Sequence, residues 1–207
     1  SARLLGLNIM ENFDSPYLSS SVKMFWRRWH ISLTSWFKDY LYIPLGGSRC
    51  SKLRNVLNTL IVFAVSGLWH GASVTFLIWG VINGIYLVIG NLMSPVYRKI
   101  KDYLKIKDSN NLFLIIKGTI TFILISLTWI FFRADNLEHA ILIFKSIYIN
   151  KQLAISLTSL EIDAYNLIVL IVSIIVMLVI DVLTRKKYLP DLLNNNLILT
   201  YVTCFLL

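Results

Sequence analysis

From Asn55 to Tyr97 the chain runs 43 residues without one formally charged side chain. As one continuous helix that stretch would extend roughly 65 Å, about twice the hydrocarbon thickness of a bilayer. It therefore predicts two membrane crossings, or one crossing plus a broken helix. Gly67, Gly71 and Ser73 mark the expected break, because glycine weakens a helix and lets backbones approach closely. At that break, within "SGLWHGASVTF" (66–76), stands His70.

The rest of the chain agrees with a lipid setting. It is 57% hydrophobic and only 15% charged, against about 45–50% and about 25% for a soluble domain. Residues 112–132 form an apolar run broken only by Lys117, and 164–184 another whose one charge, Asp181, lies near its far end. Each is long enough to span. The expected fold is all-α: a multi-pass transmembrane helical bundle in one membrane domain covering residues 1–207. The first residues lack the charged-then-apolar layout of a signal peptide. The last, 197–207, stop inside an apolar run too short to span, and the Asn-rich 194–196 reads as a turn. The chain thus reads as the C-terminal portion of a larger protein.

The 20 Lys and Arg residues give a net charge of +9, but they cluster beside apolar segments, where they set topology and meet anionic headgroups. The bilayer, not nucleic acid, is the expected partner. Basic clusters at Arg49, Lys52 and Arg54, at Arg98–Lys107, and at Arg185–Lys187 contrast with the connector 133–163, which carries three basic and four acidic residues. With positive inside, the 55–97 hairpin leaves and returns to the cytoplasm, 112–132 goes out and 164–184 comes back.

Residues 16–46 alternate aromatic, basic and hydroxyl side chains. Val22, Trp26, Trp29, Leu33, Trp36 and Tyr40 recur at steps of four and three, with Lys23 and Arg27 on another face. This predicts a basic, Trp-rich amphipathic helix at the membrane interface, ending before Pro44 and the Gly46-Gly47 pair.

The sequence holds no G-x-S-x-G elbow, no H-E-x-x-H and no glycine-rich phosphate loop. Cys50 and Cys204 and the three histidines are too dispersed to predict a metal site. What remains is imidazole in membrane, where an ionisable group marks a candidate site by default. A neutral His70 ring could accept a proton from an alcohol, as a general base in acyl transfer does. Equally, it could donate one hydrogen bond to a carbonyl freed at the glycine break. His30, one turn from Trp26 and Thr34, sits comfortably at an interface with no catalytic task. His139 reads as a solvated surface residue. Lys23, Arg27 and Arg28 suit a phosphate-bearing donor or phospholipid headgroups.

Three stretches, "FWRRWHISLTSWFKDYLYIPLGGSR" (25–49), "SGLWHGASVTFLIWGVINGIYLVI" (66–89) and "LTWIFFRADNLEHAI" (127–141), together resemble the membrane-bound O-acyltransferase family. The likeness is to its bacterial polysaccharide branch, typified by the membrane subunit of alginate O-acetylation, and covers about residues 10–185. It implies a multi-helix enzyme of the plasma or inner membrane. No cofactor would be permanently bound; acetyl-CoA or another acyl thioester would serve as co-substrate. A secreted or periplasmic esterase-like partner and the glycan-synthesis machinery would complete transfer to a cell-envelope polysaccharide. The family's near-invariant histidine matches His70, implying a general base, and the second site histidine matches His30, implying a binding or orienting role. Trp69 and Trp29 would shape the walls, and Arg27 and Arg28 would meet the donor. Asn83 stands where many relatives carry histidine; it hydrogen-bonds but does not titrate, which fits an orienting residue.

Two other classes compete. A transporter or channel with broken helices would need charges or a second break deep in another span, and 112–132 and 164–184 offer none at their centres. A non-catalytic scaffold would keep the aromatic packing without the reaction.

Overall fold

The computed structural model describes residues 10–105, 110–149 and 163–185, and these are helical with no strand. The expected turn at 194–196, the apolar run 197–207, Cys204 and Lys186–Lys187 lie outside the described residues. The chain forms two compact units. One, Pro16–Ile149, contains α1 (Val22–Arg28), α2 (Ile31–Phe37), α3 (Lys52–His70), α4 (Val74–Tyr103), α5 (Asn111–Arg133) and α6 (Leu137–Ile149). In the other, α7 runs Ala164–Arg185. Three helices among the described residues are long and apolar enough to cross a membrane: α4, α5 and Tyr165–Val182 of α7. The protein is an all-α membrane bundle.

α3 and α4 are an antiparallel hairpin whose turn is only Gly71 to Ser73. Ser51 and Ser73 cap the two starts, their hydroxyls accepting from the N–H groups of Arg54 (3.4 Å) and Thr75 (3.3 Å). The hairpin closes on glycine. A Cβ on Gly67 would land on the carbonyl oxygen of Phe76, and one on Gly80 on that of Phe63. Gly84 continues the seam against Leu60 and Phe63. Lipid supplies no hydrophobic drive between helices, so such backbone contact supplies the packing instead.

α5 lies against α4 and α6. Its buried Thr121 and Thr128 turn their hydroxyls back onto the carbonyls of Lys117 and Ile125, both at 2.8 Å, so neither is unsatisfied in the apolar interior. Ahead of α3, a helical run ends at Tyr42 and a turn follows in which Gly46 (φ +109°) and Gly47 (φ +54°) hold conformations that favour glycine. Buried Asn58 ties this turn down, its amide donating to the Leu45 carbonyl at 3.0 Å. The Leu45 carbonyl keeps a second donor in Arg54 Nε (3.3 Å), so Asn58→Ala is expected to cost about 0.5–1.5 kcal/mol, the net value of the lost hydrogen bond, read as a lower thermal midpoint in a fixed detergent. An unchanged midpoint would contradict this role.

The amphipathic segment differs from the single helix its periodicity predicts. α1 stops at Trp29, whose N–H bonds the Phe25 carbonyl (2.9 Å), and His30 takes left-handed backbone (φ +46°, ψ +57°) before α2 begins. That conformation is costly for most L-residues, but histidine adopts it more readily than most. The bend splits the expected stripe. Phe25, Trp26 and Trp29 pack into aromatic neighbours, while Trp36 (52% exposed) and Tyr40 (70%) remain outside.

Candidate active site

The break at His30 and the end of α3 meet at one place. A cavity of about 60 Å³ lies between α1, α2, α3 and α4, and both His30 and His70 line it. His70 is the last residue of α3, placed there because Gly71 ends the helix and its N–H turns back to the Leu68 carbonyl (3.2 Å). Its ring stands edge-on to Trp79 (5.3 Å between centroids) and Phe132 (5.0 Å). Trp26 closes the opposite side, edge-on to Trp79 (5.6 Å) and Phe63 (5.4 Å). Such T-shaped contacts fix ring orientations more tightly than aliphatic packing does.

His30 is fixed from both sides in sequence. Its carbonyl accepts the N–H of Thr34 (2.9 Å), and the Thr34 hydroxyl bonds the Trp29 carbonyl (3.2 Å). Trp29 stacks on Phe25 (5.5 Å, planes 16° apart) and also lines the cavity. Among the described residues no carboxylate lines it. The hydroxyls of Ser66 and Thr34 and the indole N–H groups of Trp26, Trp29 and Trp79 are the side-chain polar groups that share the lining with the two imidazoles. A neutral imidazole there has both a donor and an acceptor nitrogen for a bound hydroxyl.

The other expected site residues fall elsewhere. Trp69 is 57% exposed and lines no part of the cavity, although its ring touches those of His70 (5.0 Å) and His30 (6.5 Å) from outside. Asn83 is fully buried one turn behind Trp79, donating to the Trp79 carbonyl at 2.8 Å, so it backs the wall and does not face the space. Arg27 is exposed and Arg28 half-buried in the last turn of α1, outside the lining. Trp26, Phe63, Ser66 and Trp79 are wall residues that sequence reasoning passed over. Phe63, Ser66 and His70 recur at steps of three and four, so a helical wheel anchored on His70 finds them.

Every wall of this cavity falls within residues 4–134, and that stretch matches the model of MBOAT, the membrane-bound O-acyltransferase family. The chain belongs to that family. Over 137 residues, 66% of its length, it is 41% identical to the Pseudomonas syringae pv. tomato protein named "Probable alginate O-acetylase AlgI". It is 44% identical over 134 residues to the peptidoglycan O-acetyltransferase of Helicobacter pylori, covering 65% of this chain. Similarity extends to the teichoic acid D-alanyltransferase of Streptococcus thermophilus, 36% identical over 97 residues, 44% of this chain and 23% of that protein. The chain spans about a quarter of the length of these acyltransferase relatives, 24% for the first two.

Proposed function

We propose that this chain carries the reacting centre of a multi-pass O-acyltransferase of the plasma or inner membrane. The observation that carries the reading is the convergence of His30 and His70, from two separate elements, on one small aromatic cavity. As the acceptor oxygen attacks the carbonyl carbon of an acyl thioester, its proton passes to an imidazole nitrogen of His70. The C–S bond breaks, and the departing thiolate takes that proton. His30 holds the acceptor or the carbonyl in line. The rings of Trp26, Trp29 and Trp79 keep bulk water off the thioester, so hydrolysis does not compete.

A cavity of about 60 Å³ suits a small acyl group, in keeping with relatives named for acetyl and D-alanyl transfer. The donor is acetyl-CoA or an acyl carrier on the cytoplasmic side, and Arg27 and Arg28 supply the phosphate contacts. The acceptor is a hydroxyl of an extracytoplasmic cell-envelope polysaccharide, reached directly or through a secreted partner acting with the glycan-synthesis machinery.

The test is label transfer by the whole protein in sealed membrane vesicles, with acetyl-labelled thioester supplied outside and label counted in polymer or partner protein. Covalent label is expected. Label crossing the membrane unattached would instead mark a transporter, and label retained in the donor a scaffold. In the same assay His30→Ala is expected to lower kcat/KM about 10²-fold, the loss typical of a misplaced reactant; an unchanged kcat/KM would remove His30 from the site.

A further inference from the structure

A second and larger cavity, about 470 Å³, opens between the start of α1, the middle of α4 and α5. It lies within the size range of ligand pockets. Its long walls are apolar, with Leu87, Ile89, Met93 and Leu124 among them. Gly90 widens it, since a Cβ there would meet nothing within 4 Å. Two cations sit in it, and among the described residues no carboxylate does. Lys23 reaches the side-chain oxygen of Asn91 (3.4 Å), and Lys117 lies over the rings of Tyr97 (4.9 Å) and Phe113 (5.6 Å).

Lys117 is the feature that a purely structural groove would not need. It is the only charge in α5 ahead of the helix's last residue, Arg133, and a lysine within a spanning helix is costly unless it is paired or reaches the headgroups. Neutral oxygens and aromatic faces satisfy the two ammonium groups only in part. The groove runs along two helices fit to cross a membrane, and α4 continues past it into Arg98, Lys99 and Lys101. An occupant must therefore be apolar along its length and anionic at the lysine end. We propose that the groove binds one anionic phospholipid, its phosphate between Lys23 and Lys117 and an acyl chain against α4 and α5. This goes beyond the acyl-transfer reading and does not depend on the histidine cavity.

The test is native mass spectrometry of the whole protein released from nanodiscs of mixed phosphatidylglycerol and phosphatidylcholine, wild type beside a K23Q/K117Q variant. Wild type is expected to retain phosphatidylglycerol preferentially. The double variant should bind it about 30-fold more weakly, from the usual strength of two lysine contacts with anionic lipid, while its weak phosphatidylcholine retention stays the same. Equal retention of the two lipids by wild type, or unchanged phosphatidylglycerol affinity in the variant, would overturn the site. A photoreactive residue at position 90 supplies the independent check. Crosslinks to lipid support the proposal, whereas crosslinks to another segment of the protein would show that polypeptide fills the groove.

Discussion

Replacing His70 by alanine is expected to lower acyl transfer by about 10²–10⁴-fold, the span for a lost general base, with the membrane yield of folded protein little changed. The ring is half-buried and ends its helix, so its removal gives up its edge contacts with Trp79 and Phe132 but leaves the glycine seam of α3 and α4 intact. His70→Asn separates the two roles that the sequence leaves open. Asparagine can donate a hydrogen bond to a helix-end carbonyl but cannot act as a base. If the imidazole serves only the helix end, the asparagine variant should keep its activity and alanine should lower the thermal midpoint. If it moves the proton, both variants lose turnover alike and neither loses much stability.

The largest structural effect is expected at Gly80. Gly80→Val places a branched side chain where even a Cβ meets the Phe63 carbonyl oxygen and crowds Gly67. The obstacle is backbone in a helix, which cannot rotate away as a side chain would. The variant should lose about 3 kcal/mol, the upper part of the range for overpacking, and the α3–α4 hairpin should splay. Splaying moves His70 away from Trp79, so acyl transfer falls along with the thermal midpoint. Gly90→Ala is the matched control on the same helix. With nothing near its Cβ, it should raise stability by up to about 1 kcal/mol through helix propensity alone. A Gly80 variant as stable as this control would contradict the close seam.

The sequence makes some of this arrangement legible and hides the rest for definable reasons. Absence of charge marks the hairpin, and Gly71 with Ser73 marks its turn, because helix ends carry their own chemistry in these residues. The bend at His30 is hidden. One left-handed residue resets the direction of the chain while the three-and-four spacing of aromatic residues continues across it, so a periodicity argument sees one helix where there are two. The same bend carries Trp29 and His30 to the cavity and leaves Trp36 and Tyr40 outside. Trp69 takes a different place for a simpler reason. Neighbours in a helix point about 100° apart, so within α3 Phe63, Ser66 and His70 share the lining while Trp69 meets the His70 ring from outside. Asn83 belongs to the same face of α4 as Trp79, one turn on, and acts through Trp79's backbone. The groove with Lys23 and Lys117 needs residues from three helices, and no local pattern joins them.

The central claim is that His30 and His70 work on one substrate in one cavity, and a double-mutant cycle tests it most directly. Rates of acetyl transfer are measured for wild type, His30→Ala, His70→Ala and the double variant, each as whole protein in vesicles. Residues that act as a unit are strongly non-additive. The expected result is a double variant no more than a few-fold slower than His70→Ala alone. Losses that multiply across the two positions, or a fully active His70→Ala variant, would contradict the account.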